Sequence, residues 1–173
     1  ELFSKSPMAS KWKQKKYRAC ATCHNHHDVA PPDAGMLDPE GGVCRKCHRA
    51  EDAGTRTAGE MRSLLDGIQS AYQAAESGLK NAEAKGMDVA DGWDSLQEAK
   101  QSFFQARTAV HSFQAAAVKE KVVSGLAAAR KASETAGKAV QEFRWRRIWL
   151  GIATLLITFL AVLLCLKNRD LEQ

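Results

Sequence analysis

Apolar residues return on a seven-residue beat through the middle of the chain. Met61, Ile68, Ala75 and Ala82 form one row, and Leu65, Tyr72 and Leu79 fill the row beside it. A stripe of this period with polar residues elsewhere predicts one long amphipathic helix over 58–85. Thr57-Ala58-Gly59-Glu60 has the spacing of a capping box at its start, and Gly86 is a stop signal at its end. A second seam through Val89, Trp93, Leu96, Ala99, Phe103, Ala106, Val110 and Phe113 predicts a helix over 89–112. A third, over 115–145, carries Val122, Ala129, Ala136 and Phe143 on one row and Val118, Gly125, Ala132 and Ala139 on the next. Its small residues let neighbouring helices come close.

The pattern then changes from amphipathic to uniformly apolar. Ile148 to Leu166 has no charge across 19 residues, which as a helix reaches roughly 28 Å, the thickness of a hydrocarbon core. Trp145 and Trp149 stand at one end as interfacial anchors, and Lys167 and Arg169 close the other. These features predict one transmembrane helix over 146–168 and a short tail over 169–173. No other segment is apolar enough to enclose such a helix as a buried core element. With no Pro or Gly between residues 138 and 150, the third helix is expected to run unbroken into the span. Cys165 reads as a small apolar residue within it.

Residues 1–55 behave differently. They hold all four prolines and show no sustained apolar period. About 50 residues of this kind bury too little surface to be stable alone, so a covalent or metallic group must supply the missing core. The expected architecture is mainly α: a small irregular segment over 1–55, a helical hairpin or three-helix bundle over 56–145, and one C-terminal transmembrane helix.

Composition, at 45% hydrophobic and 26% charged, argues against disorder. The net charge of +5 is modest, but its placement is uneven. Lys11, Lys13, Lys15, Lys16 and Arg18 cluster in the first segment, and Arg144, Arg146 and Arg147 precede the apolar span. Such patches suit an acidic partner, an acidic cofactor edge or anionic lipid. The chain opens on Glu1 without an initiator Met, as expected of a processed or shortened form.

The chemistry is carried by CATCHNHH at residues 20–27 and CRKCH at residues 44–48. Two suppliers of a core fit Cys20, Cys23, Cys44 and Cys47. Four thiolates at this spacing suit a structural zinc ribbon. Alternatively, each pair attaches a c-type haem through two thioethers, and the histidine that follows binds its iron. Histidine placement separates the two. With five histidines in 173 residues, one following both pairs by chance has a probability of about 0.1%. A zinc ribbon needs neither. The residues therefore predict two haem c groups, held by Cys20, Cys23, Cys44 and Cys47, with His24 and His48 as proximal ligands.

Candidates for the sixth position are His26, His27 and His111, with Met8, Met36, Met61 and Met87 as weaker donors. The three residues between His24 and His27 reach only about 10 Å, too little to pass round a porphyrin and return on its other face. His27, or His26 in its place, is therefore assigned to the second haem, and His111 to the first.

The run from Cys20 to Val29, followed by Pro31-Pro32, Met36-Leu37 and Gly42 to His48, resembles the membrane-bound multihaem cytochromes c with doubled C-x-x-C-H motifs. Ala84 to Val89 and Ala106 to Phe113 are similar to the helical hairpin that ends such proteins, with His111 at its characteristic position. The resemblance covers about residues 3–145. It implies a distal role for His27, further haems upstream in many members, and a Ser-Pro-His element where this chain has Ser6-Pro7-Met8. Met8 is thereby a candidate axial ligand, and thioether ligation would raise the reduction potential.

The resemblance further implies haem attachment on the outer, periplasmic side of an energy-transducing membrane, with Lys167 to Gln173 in the cytoplasm. The basic residues before the span outnumber those after it and would favour the reverse. A translocated haem segment overrides so small an excess. The expected function is electron transport: a dihaem relay between a membrane donor, such as a quinol-oxidising or photosynthetic complex, and another redox subunit or soluble carrier, with lipid but no nucleic acid as a further partner. No nucleophile or acid–base pair stands beside the motifs, so an electron-transfer subunit is expected rather than an enzyme. The alternatives are haem-based quinol oxidation or small-substrate reduction, and a zinc-headed structural membrane protein.

Overall fold

The computed structural model describes residues 1–18, 20–29 and 31–171. Among them there is no strand. Five α-helices follow one another: α1 (Pro7–Gln14), α2 (Ala21–His24), α3 (Ala53–Glu83), α4 (Ala90–Ala109) and α5 (Ala115–Leu171). Short 3-10 turns at Phe3–Lys5, Ala34–Leu37, Val43–Lys46 and Val110–Ser112 link them. This is the mainly α architecture that the periodicity predicts.

Helices α3 and α4 form an antiparallel hairpin, and the first part of α5 packs along both. Both rows expected of α3 are buried except Tyr72, which is half-buried. All seven small or β-branched positions expected of α5 before Phe143 are buried as well. The core has two storeys. The upper one gathers Met61, Leu65, Ile68, Ala106, Val118 and Val122. The lower gathers Ala75, Leu79, Val89, Leu96, Ala132 and Ala136. Gly125 lies at their junction, where a methyl group would sit 2.2 Å from Ile68 Cδ1 and 2.9 Å from Ser102 Cβ. All three helices meet there without a side chain from α5.

Helix α3 starts at Ala53, before the Thr57–Glu60 capping-box spacing. Asp52 occupies the N-cap position, but its carboxylate Oδ2 accepts from the N–H of Arg49 at 2.9 Å. Thr55, 2% exposed, donates to the Arg49 carbonyl at 2.8 Å. These contacts, together with complete burial of Ala58, extend the helix by more than a turn past its local start signal. Its far end obeys the sequence. Gly86, at φ 74°, lets the Met87 N–H return to Ala82 O at 3.2 Å and its own N–H to Glu83 O at 2.8 Å. That pair of bonds is a Schellman motif.

Helix α4 is followed by the 3-10 turn Val110–Ser112, and Phe113 takes a left-handed conformation at φ 55°. Helix α5 then runs without a break from the bundle through the apolar span. The span is the one helical segment among the described residues long and apolar enough to cross a membrane, and none of its most apolar window is buried. The chain thus has the form of a single-pass membrane protein with its bundle at the N-terminal side of the span. Of the expected tail, residues 169–171 continue α5, and the last two lie outside the described residues.

Candidate functional site

The two cysteine motifs wind the same way. In the first, Cys23 N–H and His24 N–H reach Cys20 O at 3.2 and 2.9 Å. In the second, Cys47 N–H and His48 N–H reach Cys44 O, again at 3.2 and 2.9 Å. One turn of this kind places the first sulfur, the second sulfur and the histidine on one side of the backbone. None of the four thiols is in a disulfide. Burial pushes the Cys23 and Cys44 thiols up from their ordinary value.

Both motifs open onto one cavity of about 1080 Å³, just above the roughly 300–1,000 Å³ usual for ligand pockets. Cys20, Cys23, His24, Cys44, Cys47 and His48 all line it, and so do Met8 and His111. Its walls are mostly apolar and include Phe3, Trp12, Leu37, Met61, Leu65 and Phe103. Edge-to-face contacts hold part of this wall. Trp12 lies 5.7 Å from Phe3 and 5.2 Å from Tyr17, and Phe3 lies 6.2 Å from Phe113. Buried Trp12 is thus linked through Phe3 to Phe113, which follows the turn that carries His111.

His24 and His111 face each other. Their ring centroids are 6.0 Å apart with planes 24° from parallel. The Nδ1 of His111 lies 3.1 Å from Thr108 O. A carbonyl can only accept, so in this contact Nδ1 is the donor, and Nε2 is the ring nitrogen left for a ligand role.

The second motif is seated by a tight backbone approach and by polar ties to the bundle. A methyl group at Gly42 would fall 2.5 Å from Asp38 N and 2.6 Å from Asp38 O and Met36 O. Only glycine fits the turn that brings Cys44 back beneath Leu37. Asp38, which closes this turn, accepts from Glu40 N–H at 3.0 Å and pairs with Arg62 of α3 at 2.9 Å. Those bonds, the backbone N–H first, hold its carboxyl below the usual range. On the other flank Arg107 of α4 donates to the Pro32 carbonyl, tying residues 31–32 to the bundle.

His27 is placed elsewhere. Asn25, at φ 61°, ends α2 and turns the chain, leaving His26 and His27 exposed with ring centroids 4.5 Å apart. Neither lines the cavity. Met36 and Met61, expected as weaker donors than His27, do line it. A reach along the chain has no direction, and the turn at Asn25 supplies one.

Among the described residues, no three side chains of His, Cys, Asp or Glu converge as a single metal ion would require. Comparison with protein-family models, with curated proteins and with solved structures returns no match.

Proposed function

We propose that the chain is a membrane-anchored dihaem cytochrome c that relays electrons. What carries this reading is the close pair His24 and His111, which lines one apolar cavity together with both C-x-x-C-H turns. Cys20 and Cys23 would hold the first haem and Cys44 and Cys47 the second. His24 and His111 would ligate the first iron, and His48 the second. Met8 is better placed than His27 for the remaining position, since it borders the cavity that His48 also lines. Haem held this way supplies reversible one-electron exchange, at a potential set by axial ligands and burial. The zinc-headed alternative is less well supported, because a site of four thiolates has no need of the histidine that follows each cysteine pair.

The stalk bears on what the relay could serve. About 50 Å of helix, at about 1.5 Å per residue, separates Ala115, just after the turn that carries His111, from Ile148 at the start of the span. Direct oxidation of quinol in the bilayer is disfavoured at that height. The donor would be a subunit whose own redox centre rises above the membrane, and the acceptor another subunit or a soluble carrier. Placing the haem segment on the periplasmic side is part of this proposal.

Mass measurement of the intact protein beside a pyridine haemochrome spectrum tests it. Two c-type haems per chain are expected, with one reactive thiol left at Cys165. A colourless chain with five reactive thiols would overturn the proposal.

A further inference from the structure

The start of α3 is built around the ring of His48. Gly54 lies so close that a methyl group there would fall 2.6 Å from Cε1, 2.7 Å from Nδ1 and 2.8 Å from Cγ of the imidazole. Asp52 Oδ2 faces Nδ1 at 3.7 Å, and the same oxygen is held at 2.9 Å by the N–H of Arg49. Arg45 Nη1 donates to the His48 carbonyl at 2.7 Å, which fixes the backbone behind the ring. The ring thus turns its Nδ1 edge towards α3, and Nε2 is the nitrogen left for a ligand role.

We infer that Asp52 and Gly54 are positioning residues for His48, Gly54 by admitting the ring against α3 and Asp52 by setting its charge environment. This rests on His48 being a proximal haem ligand, as proposed above. A carboxylate facing the Nδ1 side of a ligating imidazole strengthens it as a donor and favours the more positive, oxidised metal. Asp52 therefore lowers the reduction potential of the second haem and leaves the first untouched. Its side chain is 45% exposed and that of His48 31%, so solvent moderates the effect.

Asp52→Asn separates charge from structure, because asparagine is as good an N-cap and can still accept from Arg49. In a spectroelectrochemical titration of the haem-loaded full chain, one of two couples should rise and the other stay. The expected change in the oxidised-to-reduced ratio is roughly three- to tenfold, a tenfold change being 59 mV for one electron. Gly54→Ala should instead displace the ring and turn one haem high-spin with both still attached. A haem-loaded Asp52→Asn protein with both couples unmoved overturns the charge role of Asp52. A haem-loaded Gly54→Ala protein with unchanged spin state overturns the seating role of Gly54. A wild-type chain without haem removes the proposed function, and this inference with it.

Discussion

His24 and His111 stand 6.0 Å apart, ring centre to ring centre, although 87 positions separate them in the chain. One belongs to the first cysteine motif, the other to the 3-10 turn that ends the α3–α4 hairpin. Joining them through one iron would make the cofactor a cross-link between the irregular segment and the bundle. The missing core of residues 1–55 would then be supplied from both sides at once.

Replacing His111 should change spin state and leave haem content alone, because the thioethers are independent of it. His111→Ala is expected to convert one of two low-spin haems to high-spin, and added imidazole should reverse the change. Electron paramagnetic resonance reads this directly. An unaltered low-spin spectrum would remove His111 from the ligand set.

Thiol reactivity should separate loaded from unloaded chains. Haem-free protein should alkylate first at Cys20 and Cys47, which are exposed, and later at Cys23 and Cys44, which are half-buried with thiols pushed up. Raising the pH should narrow the difference. Timed alkylation with peptide mass mapping gives the order, and equal rates at all four would contradict the burial seen here.

Asp38 makes the seat of the second motif sensitive to acid. Its carboxyl titrates lower in the folded protein than in the unfolded one, so its contribution is complete above the ordinary aspartate range, about pH 4, and is lost as the pH falls through the folded value. Thermal melts taken from pH 6 downwards should show this loss, with Asp38→Asn flattening it. A variant whose acid profile matches the wild type would show that Asp38 contributes nothing to the docking of this loop.

At the waist of the bundle, Gly125→Ala should destabilise by about 1–3 kcal/mol, the usual cost of overpacking, since the added methyl meets Ile68 at 2.2 Å. Shortening Ile68 to valine in the same chain should recover part of the loss. Urea melts of the detergent-solubilised protein measure both, and a non-additive pair is the signature of direct contact.

Ending the chain after Arg144 should abolish membrane association and keep the bundle, because every buried position of α5 precedes that residue. Fractionation together with helical circular dichroism tests both halves. Loss of helical content would mean that the span is needed for folding.

The helices were legible because their cause is local and repetitive. The rows through Met61, Leu65 and Ile68, the small residues of α5, the stop at Gly86 and the uncharged run after Ile148 can each be read along one strip of chain, since a helix maps sequence period onto a face. The two cysteine turns were legible for the same reason. The start of α3 was not, because buried Thr55 and Ala58 and the close fit of Gly54 to His48 outweigh the capping signal at Thr57. The position of His27 was not legible either. Chain length bounds how far a residue can reach, but a single backbone angle at Asn25 decides which way it goes. The sequence by itself thus determined the elements, the membrane span and the chemical types gathered in the first segment. Only the tertiary structure decided that His111 comes within 6.0 Å of His24 and that both cysteine turns border one cavity with residues of α3 and α4, because these depend on contacts between residues far apart in the chain.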